Sequence, residues 1–211
     1  MLVDTPPLTV LNIHKSYGRH TVLRGISFSL SAGTLVGIVG ENGSGKSTLL
    51  RILAGELKPS GGEVYRHGSL GYCPQTVIVN DALTVQQHLD YFRAAYDLAG
   101  LGRANELLHR LNYAQYRNAT VGTLSGGTKQ KLNLTIAAMH DPDVLLLDEP
   151  YQGFDWETYL HFWDLAEEMR DRGHTVLVIS HLIFDETRFD EIYQLADGRI
   201  CPRAVAAEVL R

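Results

Sequence analysis

The sequence predicts an α/β fold built on a mainly parallel β-sheet. Three apolar runs rich in leucine and β-branched residues, at 35–39, 144–147 and 176–179, have the length of buried strands. Helical patterns follow two of these runs, at 46–53 and 156–172. Parallel strands need long crossover connections that are usually helices, so this alternation indicates a sheet covered by helices on both faces.

The middle of the chain differs from its two ends. There is no convincing strand between residues 84 and 139, whereas 84–98 and 104–111 have helical patterns. This difference predicts a helical subdomain inserted between strands. The single domain 1–211 would then consist of a nucleotide-binding core at about 1–75 and 141–211 and a helical subdomain at about 76–140.

Two further segments, 10–30 and 63–72, have the composition of short strands. We expect them to form a small antiparallel β layer beside the main sheet. The predicted fold therefore has three parts: the parallel sheet, the antiparallel layer and the inserted helices.

The composition is that of an ordinary folded domain, with 45% hydrophobic and 20% charged residues. The formal net charge of −5 argues against sequence-independent binding of nucleic acid, so no nucleic-acid partner is expected. Cys73 and Cys201 have no metal-ligand spacing and suit a reducing compartment. No apolar run approaches the ~18–20 residues that span a bilayer, and no secretory signal is visible. We therefore expect a cytoplasmic protein whose membrane role depends on a separate partner.

A glycine-rich loop between the first parallel strand and its helix carries the first chemical signal. Residues 40–48 read GENGSGKST and match G-x-x-x-x-G-K-[ST], the Walker A loop of the P-loop NTPases. Backbone N–H groups and the helix N-terminus would face the phosphates of a nucleoside triphosphate, which the loop alone does not identify further because kinases and GTPases share it. Lys46 would reach the β- and γ-phosphates, and Ser47 would bind Mg²⁺. The predicted nucleotide-binding residues of the loop are Gly40, Glu41, Asn42, Gly43, Ser44, Gly45, Lys46, Ser47 and Thr48.

Two carboxylates follow the second parallel strand. Residues 144–150 read VLLLDEP, so Asp148 and Glu149 emerge at the carboxyl end of a buried strand, where open parallel sheets bind ligands. A buried strand can end in such a pair by chance, but here a phosphate loop precedes it. We predict that Asp148 holds Mg²⁺ through water. Glu149 would polarise the attacking water as a general base.

A second candidate phosphate site opens a helix in the middle of the chain. Residues 124–128 read LSGGT, which places a serine hydroxyl and glycine backbone at a helix N-terminus. The motif resembles the LSGGQ signature of the ATP-binding cassette (ABC) ATPases, with Thr128 in place of the glutamine. The resemblance implies that Ser125, Gly126 and Gly127 bind the γ-phosphate of an ATP held by another subunit. It therefore implies a dimer of this chain with itself or with a similar cassette.

The resemblance to ABC ATPases covers nearly the whole chain, with the motifs in the family's order. It implies that Tyr17 stacks on adenine, although a lone tyrosine at a strand end is often a core residue. It implies that Gln75, in GYCPQ, joins Mg²⁺ and the attacking water to the helical subdomain. It also implies that His181, in VISH, contacts the γ-phosphate and that Asp155 lies in a loop crossing the dimer. Beside Asp155, the commoner family residues are replaced at Tyr151, Gln152 and Phe154.

Three kinds of ABC protein fit this resemblance. They are the ATPase subunit of a membrane transporter with a separate permease, a soluble ABC ATPase acting on ribosomes or DNA, and a catalytically inactive nucleotide-gated module. The sequence lacks the second cassette, coiled-coil insertion or basic arm common in the second kind, and it has the Glu149 and His181 that the third kind usually lacks. We therefore expect a transporter subunit, peripheral on the inner face of the cell membrane. Gly153 and the chain length are similar to those of exporter cassettes, and the permease would set the cargo.

The segment after Gln75 is a candidate docking face for a permease helix. Val77, Ile78 and Val79 are apolar where a connecting segment should be polar, and a helix start at Thr84 follows. Such side chains form an interaction patch if they make one contiguous exposed surface. The alternative is that they pack beneath the helical subdomain.

Overall fold

A small antiparallel sheet forms one layer of the protein. The structure is a computed structural model that describes residues 5–181 and 185–203. The strands of this sheet are β1 (Leu8–Tyr17), β2 (His20–Leu30) and β4 (Gly61–Arg66), in the order β2-β1-β4. β1 pairs antiparallel with both of its neighbours. The expected antiparallel layer is therefore present.

The larger sheet is mainly parallel, as the sequence predicts. Within the described residues it has the order β5-β6-β7-β3-β8-β9. Every adjacent pair is parallel except β8 with β9, which is antiparallel. The strands are β3 (Leu35–Val39), β5 (Leu70–Cys73), β6 (Val144–Asp148), β7 (Thr175–Ser180), β8 (Glu191–Ala196) and β9 (Arg199–Arg203).

Five α-helices in the described part of the chain connect and cover the strands. They are α1 (Lys46–Ala54), α2 (Val85–Ala95), α3 (Gly102–Arg110), α4 (Gly126–Ala138) and α5 (Trp156–Asp171). Polar side chains cap the free backbone N–H groups at three helix starts. Thr84 forms a capping box with Gln87 at α2, Ser125 caps α4 and Asp155 caps α5. None of the helices in the described residues is long and apolar enough to cross a bilayer.

The main sheet separates two hydrophobic cores. Successive side chains of a strand point to opposite faces, so Leu35 and Val39 enter one core while Val36 and Ile38 enter the other. The first core also contains side chains of α2, α3, α4 and α5, and the second contains side chains of α1, β1 and β2. Both faces of the central strands are covered, which explains why β3, β6 and β7 are buried along their whole length.

Two expectations about the elements were wrong in detail. Only the first part of segment 63–72 joins the antiparallel layer, because β5 pairs in parallel with β6 of the main sheet. Gly68 turns the chain between the two sheets at φ 91°. The Asp143 carboxylate then accepts hydrogen bonds from the Ser69 backbone N at 2.6 Å and Oγ at 2.8 Å, which fixes β5 beside β6. The predicted helix 84–98 ends at Ala95, because Asp97 adopts a left-handed conformation at φ 53°.

Candidate functional site

The phosphate loop connects the end of β3 to the start of α1, and its backbone requires glycine at specific positions. A Cβ on Gly40 would lie 2.3 Å from the Leu195 carbonyl oxygen. Gly45 has φ 104°, and a Cβ there would lie 2.9 Å from a Val22 methyl group. Glycine is therefore needed because a neighbouring strand approaches the loop closely and because the conformation is left-handed.

The Lys46 ammonium group lies over this loop. Its Nζ donates to the Gly40 carbonyl oxygen at 2.6 Å and to the Glu41 carbonyl oxygen at 2.9 Å. Burial lowers the pKa of Lys46, and the nearby Glu149 and Asp148 carboxylates act in the opposite direction. The loop thus holds a cation close to both acidic residues at the end of β6.

Asp148 and Ser47 form a pair of oxygen donors beside Lys46. The Ser47 hydroxyl hydrogen-bonds to the Asp148 carboxylate, whereas burial is the largest effect on Asp148 and raises its pKa. Within the described residues, no cluster of three or more His, Cys, Asp or Glu side chains could hold a metal. A hydroxyl and one carboxylate fit an ion that completes its shell with phosphate oxygens and water, which is the usual behaviour of Mg²⁺.

A cavity of about 300 Å³ brings most of the predicted site residues together. Asp148, Glu149 and Gln75 line it together with residues of the phosphate loop. The remaining lining residues are Val22, Asn42, Gly43, Gly45, Lys46, Ser47 and Thr48. Lys46, the predicted metal residues and Glu149 therefore face one space, whereas Gly40, Glu41, Ser44 and His181 do not line it.

Glu149 has an unusual backbone and a well-fixed side chain. Its φ of 50° is left-handed, which is uncommon for a residue other than glycine, and such strain often marks functional sites. One carboxylate oxygen, Oε1, accepts a hydrogen bond from the His181 backbone N at 2.8 Å. The same oxygen lies 3.0 Å from His181 Nδ1. The other oxygen, Oε2, accepts from Ser180 Oγ at 3.3 Å. His181 is 63% exposed, whereas the Glu149 side chain is 12% exposed.

The signature residues lie apart from this cavity. Ser125 caps α4, where its Oγ accepts from the Thr128 backbone N at 3.2 Å and lies 2.9 Å from the Thr128 hydroxyl. A Cβ on Gly126 would meet open space, whereas a Cβ on Gly127 would lie 2.2 Å from the Gly153 carbonyl oxygen. None of Ser125, Gly126 and Gly127 lines the cavity that contains Lys46. One chain therefore has two separate candidate phosphate sites.

Tyr17 lies at the end of β1 and is 49% exposed, so it is not a core residue. It is not among the residues that line the cavity beside Lys46. The Lys15 ammonium group lies 5.1 Å from the centroid of its ring. The exposed ring is available to a base, and its role in stacking stays a prediction.

Asp155 lies at the start of α5. Its carboxylate accepts a hydrogen bond from the Thr158 backbone N at 2.8 Å, and this bond is the main reason that the pKa of Asp155 falls to about 2. Lys131 of α4 contacts the same carboxylate at 3.4 Å and donates to Thr158 Oγ at 2.8 Å. The loop after Glu149 is thereby attached to the signature helix.

Sequence reasoning missed the hydrogen bonds that connect Tyr151 and Ser180 to Glu149. The Tyr151 hydroxyl donates to Ser180 Oγ at 2.8 Å, and Ser180 contacts Glu149. The sequence marks Tyr151 only as a departure from the commoner family residue. The sequence signal that could have indicated Ser180 as a site residue is its position directly before His181.

The fold and the cavity define a nucleotide-binding P-loop ATPase of the α/β class. The family model described as "ABC transporter" matches residues 23–152. The Nod factor export ATP-binding protein I of Burkholderia orbicola is 32% identical over 213 residues, which is 93% of this chain and 70% of that protein. The aliphatic sulfonates import ATP-binding protein SsuB of Pseudomonas fluorescens is 35% identical over 205 residues, which is 92% of this chain and 75% of that protein. The chain spans only 28% of the length of ABC transporter G family member 20 of Dictyostelium discoideum, to which it is 30% identical.

Solved structures show the same fold. An ATP-binding subunit of an ABC transporter has a TM-score of 0.88 at 26% identity. The alignment covers 95% of this chain and 90% of that subunit. A dimeric bacterial ABC transporter cassette has a TM-score of 0.86 at 25% identity, with 95% and 99% of the two chains covered. The chain belongs to the ABC transporter family, as an ATP-binding and ATP-hydrolysing cassette.

Proposed function

We propose that this chain powers a membrane transporter by closing as a dimer around two ATP molecules and reopening after hydrolysis. The observation that carries the proposal is the separation of Ser125–Gly127 from the cavity that contains Lys46. One subunit has no need of two phosphate sites for one ATP, so each signature serves the nucleotide of a partner. The likeness to a dimeric cassette supports this arrangement. The partner is a second copy or a similar cassette, in a two-fold arrangement.

In each site the phosphate loop and Lys46 bind the triphosphate. The ammonium group exchanges its bonds to the Gly40 and Glu41 carbonyl oxygens for the β- and γ-phosphates. Ser47, Asp148 and Gln75 would hold Mg²⁺, which would supply positive charge next to the phosphates. Thr48 and the backbone of the loop complete the phosphate-binding site.

Glu149 is the general base of the reaction. Its carboxylate accepts a proton from water as the water oxygen attacks the γ-phosphorus and the bond to the bridging β–γ oxygen breaks. His181 contacts the γ-phosphate, and its exposed ring supports this role, since 63% of the side chain is accessible. The products are ADP and phosphate.

The membrane partner is a permease that docks beside the helices inserted between β5 and β6. Under this proposal residues 76–140 form a helical subdomain, and Gln75 lies where it joins the core. Ile78 is 62% exposed and Tyr91 is 65% exposed, which supports an apolar docking patch. Val79 instead packs against the hydrophobic core, so the patch is smaller than the sequence implies.

Cysteine cross-linking tests the docking face. A cysteine at Ile78 in the co-expressed complex should cross-link to the permease, with a yield that changes when ATP is added. A cysteine at Val79 is the matched control and should react less. If the thiol of Ile78→Cys is accessible but gives no cross-link to the permease, docking at this surface would be contradicted.

We propose that the complex lies on the inner face of the cell membrane and exports its cargo. The export name of the Burkholderia orbicola relative supports this direction, and the import name of the Pseudomonas fluorescens relative supports the opposite one. Transport by the complex in vesicles of known orientation decides between them. Uptake into inverted vesicles on addition of external ATP is the expected result, and ATP-driven uptake into right-side-out vesicles would overturn it.

Dimerisation is tested with Glu149→Gln, which should bind ATP without hydrolysing it. Light scattering after size exclusion should give a dimer in ATP and Mg²⁺ and a monomer without nucleotide. Lys46→Ala in the same background is the control and should remain monomeric. A monomer at saturating ATP, with binding verified, would overturn the proposal.

A further inference from the structure

Two hydroxyl groups, from the partly buried Tyr151 and the fully buried Ser180, connect the aromatic core to the Glu149 carboxylate. The Tyr151 hydroxyl donates to Ser180 Oγ at 2.8 Å. Ser180 Oγ donates in turn to Glu149 Oε2 at 3.3 Å. Ser180 lies at the end of β7 and is fully buried, and Tyr151 lies in the turn after Glu149. The three side chains thus form a chain of hydrogen bonds that ends on the proposed general base.

We propose that Tyr151 and Ser180 are positioning residues that hold the Glu149 carboxylate in its reactive orientation. A serine hydroxyl has one proton and two lone pairs. When Tyr151 donates to one lone pair, the Ser180 proton is directed towards Glu149 and the second bond is strengthened. This inference rests on the proposed role of Glu149 as base.

The contacts to Glu149 differ on its two sides. Oε1 is held by His181, whose ring is largely exposed, whereas Oε2 is held by the buried Ser180. In the proposed mechanism, the His181 ring moves towards the γ-phosphate. The hydroxyl groups of Tyr151 and Ser180 then remain as a side-chain anchor of the carboxylate while the histidine contacts the nucleotide.

Aromatic packing fixes the Tyr151 end of this chain of hydrogen bonds. The centroid of its ring lies 5.3 Å from that of Tyr159, 5.6 Å from that of Phe162 and 5.7 Å from that of Trp163. Burial raises the pKa of Tyr151 to about 12, so its hydroxyl keeps its proton at neutral pH and acts as a donor. A rigid donor of this kind orients its partner at little cost in conformational entropy.

Tyr151→Phe keeps the packed ring and removes only the hydroxyl. We expect kcat for ATP hydrolysis to fall about three- to tenfold, the effect of one neutral hydrogen bond on the barrier, with KM for ATP unchanged. Ser180→Ala should give a similar loss, and Ser180→Thr should restore activity because it keeps the hydroxyl. The Tyr151→Phe/Ser180→Ala double variant should lose no more than Ser180→Ala alone, since both changes interrupt the same chain.

Tyr159→Phe is the matched control. It removes a hydroxyl from the same aromatic cluster, and we expect wild-type kcat. Unchanged kcat in Tyr151→Phe, or fully additive losses in the double variant, would overturn the proposal. If Tyr151→Phe folds poorly in thermal unfolding, the comparison of Ser180→Ala with Ser180→Thr decides, because equal losses in both would also overturn it. Glu149→Gln distinguishes failure of the proposed function from failure of this inference. Wild-type turnover in Glu149→Gln would refute the role of Glu149 as general base. Loss of turnover in Glu149→Gln together with unchanged activity in Tyr151→Phe would refute only the positioning role of Tyr151.

Discussion

Glu149→Gln should abolish turnover while leaving the site intact. In the wild-type chain Oε1 lies 2.8 Å from the His181 backbone N and 3.0 Å from its Nδ1, and Oε2 lies 3.3 Å from Ser180 Oγ. A glutamine amide can reproduce this geometry, with its oxygen facing His181 and its NH₂ group donating to Ser180. The substitution therefore removes the basic oxygen and reverses the direction of the Ser180 hydrogen bond, but it keeps the size and shape of the side chain.

The expected loss follows from the chemistry of proton transfer. Removing a general base typically costs about 10²–10⁴ in rate, or about 2.7–5.4 kcal/mol in the activation barrier. Phosphate release measured in a single turnover should fall by that factor, and equilibrium dialysis should show that ATP affinity is retained. Glu157→Gln, at an exposed carboxylate in the first turn of α5, is the control and should hydrolyse ATP normally. Turnover in Glu149→Gln within tenfold of wild type, with ATP bound, would refute the assignment.

Two further substitutions test nucleotide binding. Lys46→Ala should weaken ATP affinity roughly 10- to 150-fold in a binding titration, because hydrogen bonds to charged groups contribute about 1.5–3 kcal/mol; unchanged affinity would remove Lys46 from the phosphate site. Tyr17→Ala should weaken ATP and GTP similarly, by about 1–3 kcal/mol for one stacked base, and Tyr17→Trp should restore both. Equal nucleotide affinity in Tyr17→Ala and wild type would show that the exposed ring does not bind the base.

The sequence was most informative where local chemistry determines structure. The strands at 35–39, 144–148 and 175–180 are buried on both faces, so their apolar runs are unbroken. The phosphate loop was predictable because the whole motif lies within the contiguous residues 40–48. These signals are contained in a few neighbouring residues.

The sequence was least informative where distant segments meet. Nothing in the residues 70–73 shows that they pair with β6, since that register depends on the bonds between Ser69 and Asp143. The contact of Tyr151 with Ser180 joins residues far apart in the chain and depends on side-chain orientation. Exposure is equally non-local: Tyr17 is accessible at the end of β1, whereas Val79 packs against the first hydrophobic core.

The composite site, formed by two chains, is the central claim, and inter-chain cross-linking tests it most directly. Asn42 and Gly126 are both exposed, and a side chain on Gly126 would meet open space, so a cysteine fits at either position. Cys201 is exposed and must be replaced by serine, whereas Cys73 is fully buried and can remain.

The experiment mixes two differently tagged Glu149→Gln chains, one with Asn42→Cys and the other with Gly126→Cys, and adds a short bifunctional thiol reagent. If each signature serves the nucleotide of the partner, the product that carries both tags should form with ATP and Mg²⁺ and be absent without nucleotide. Failure to form that product while both chains are shown to bind ATP would contradict the composite site.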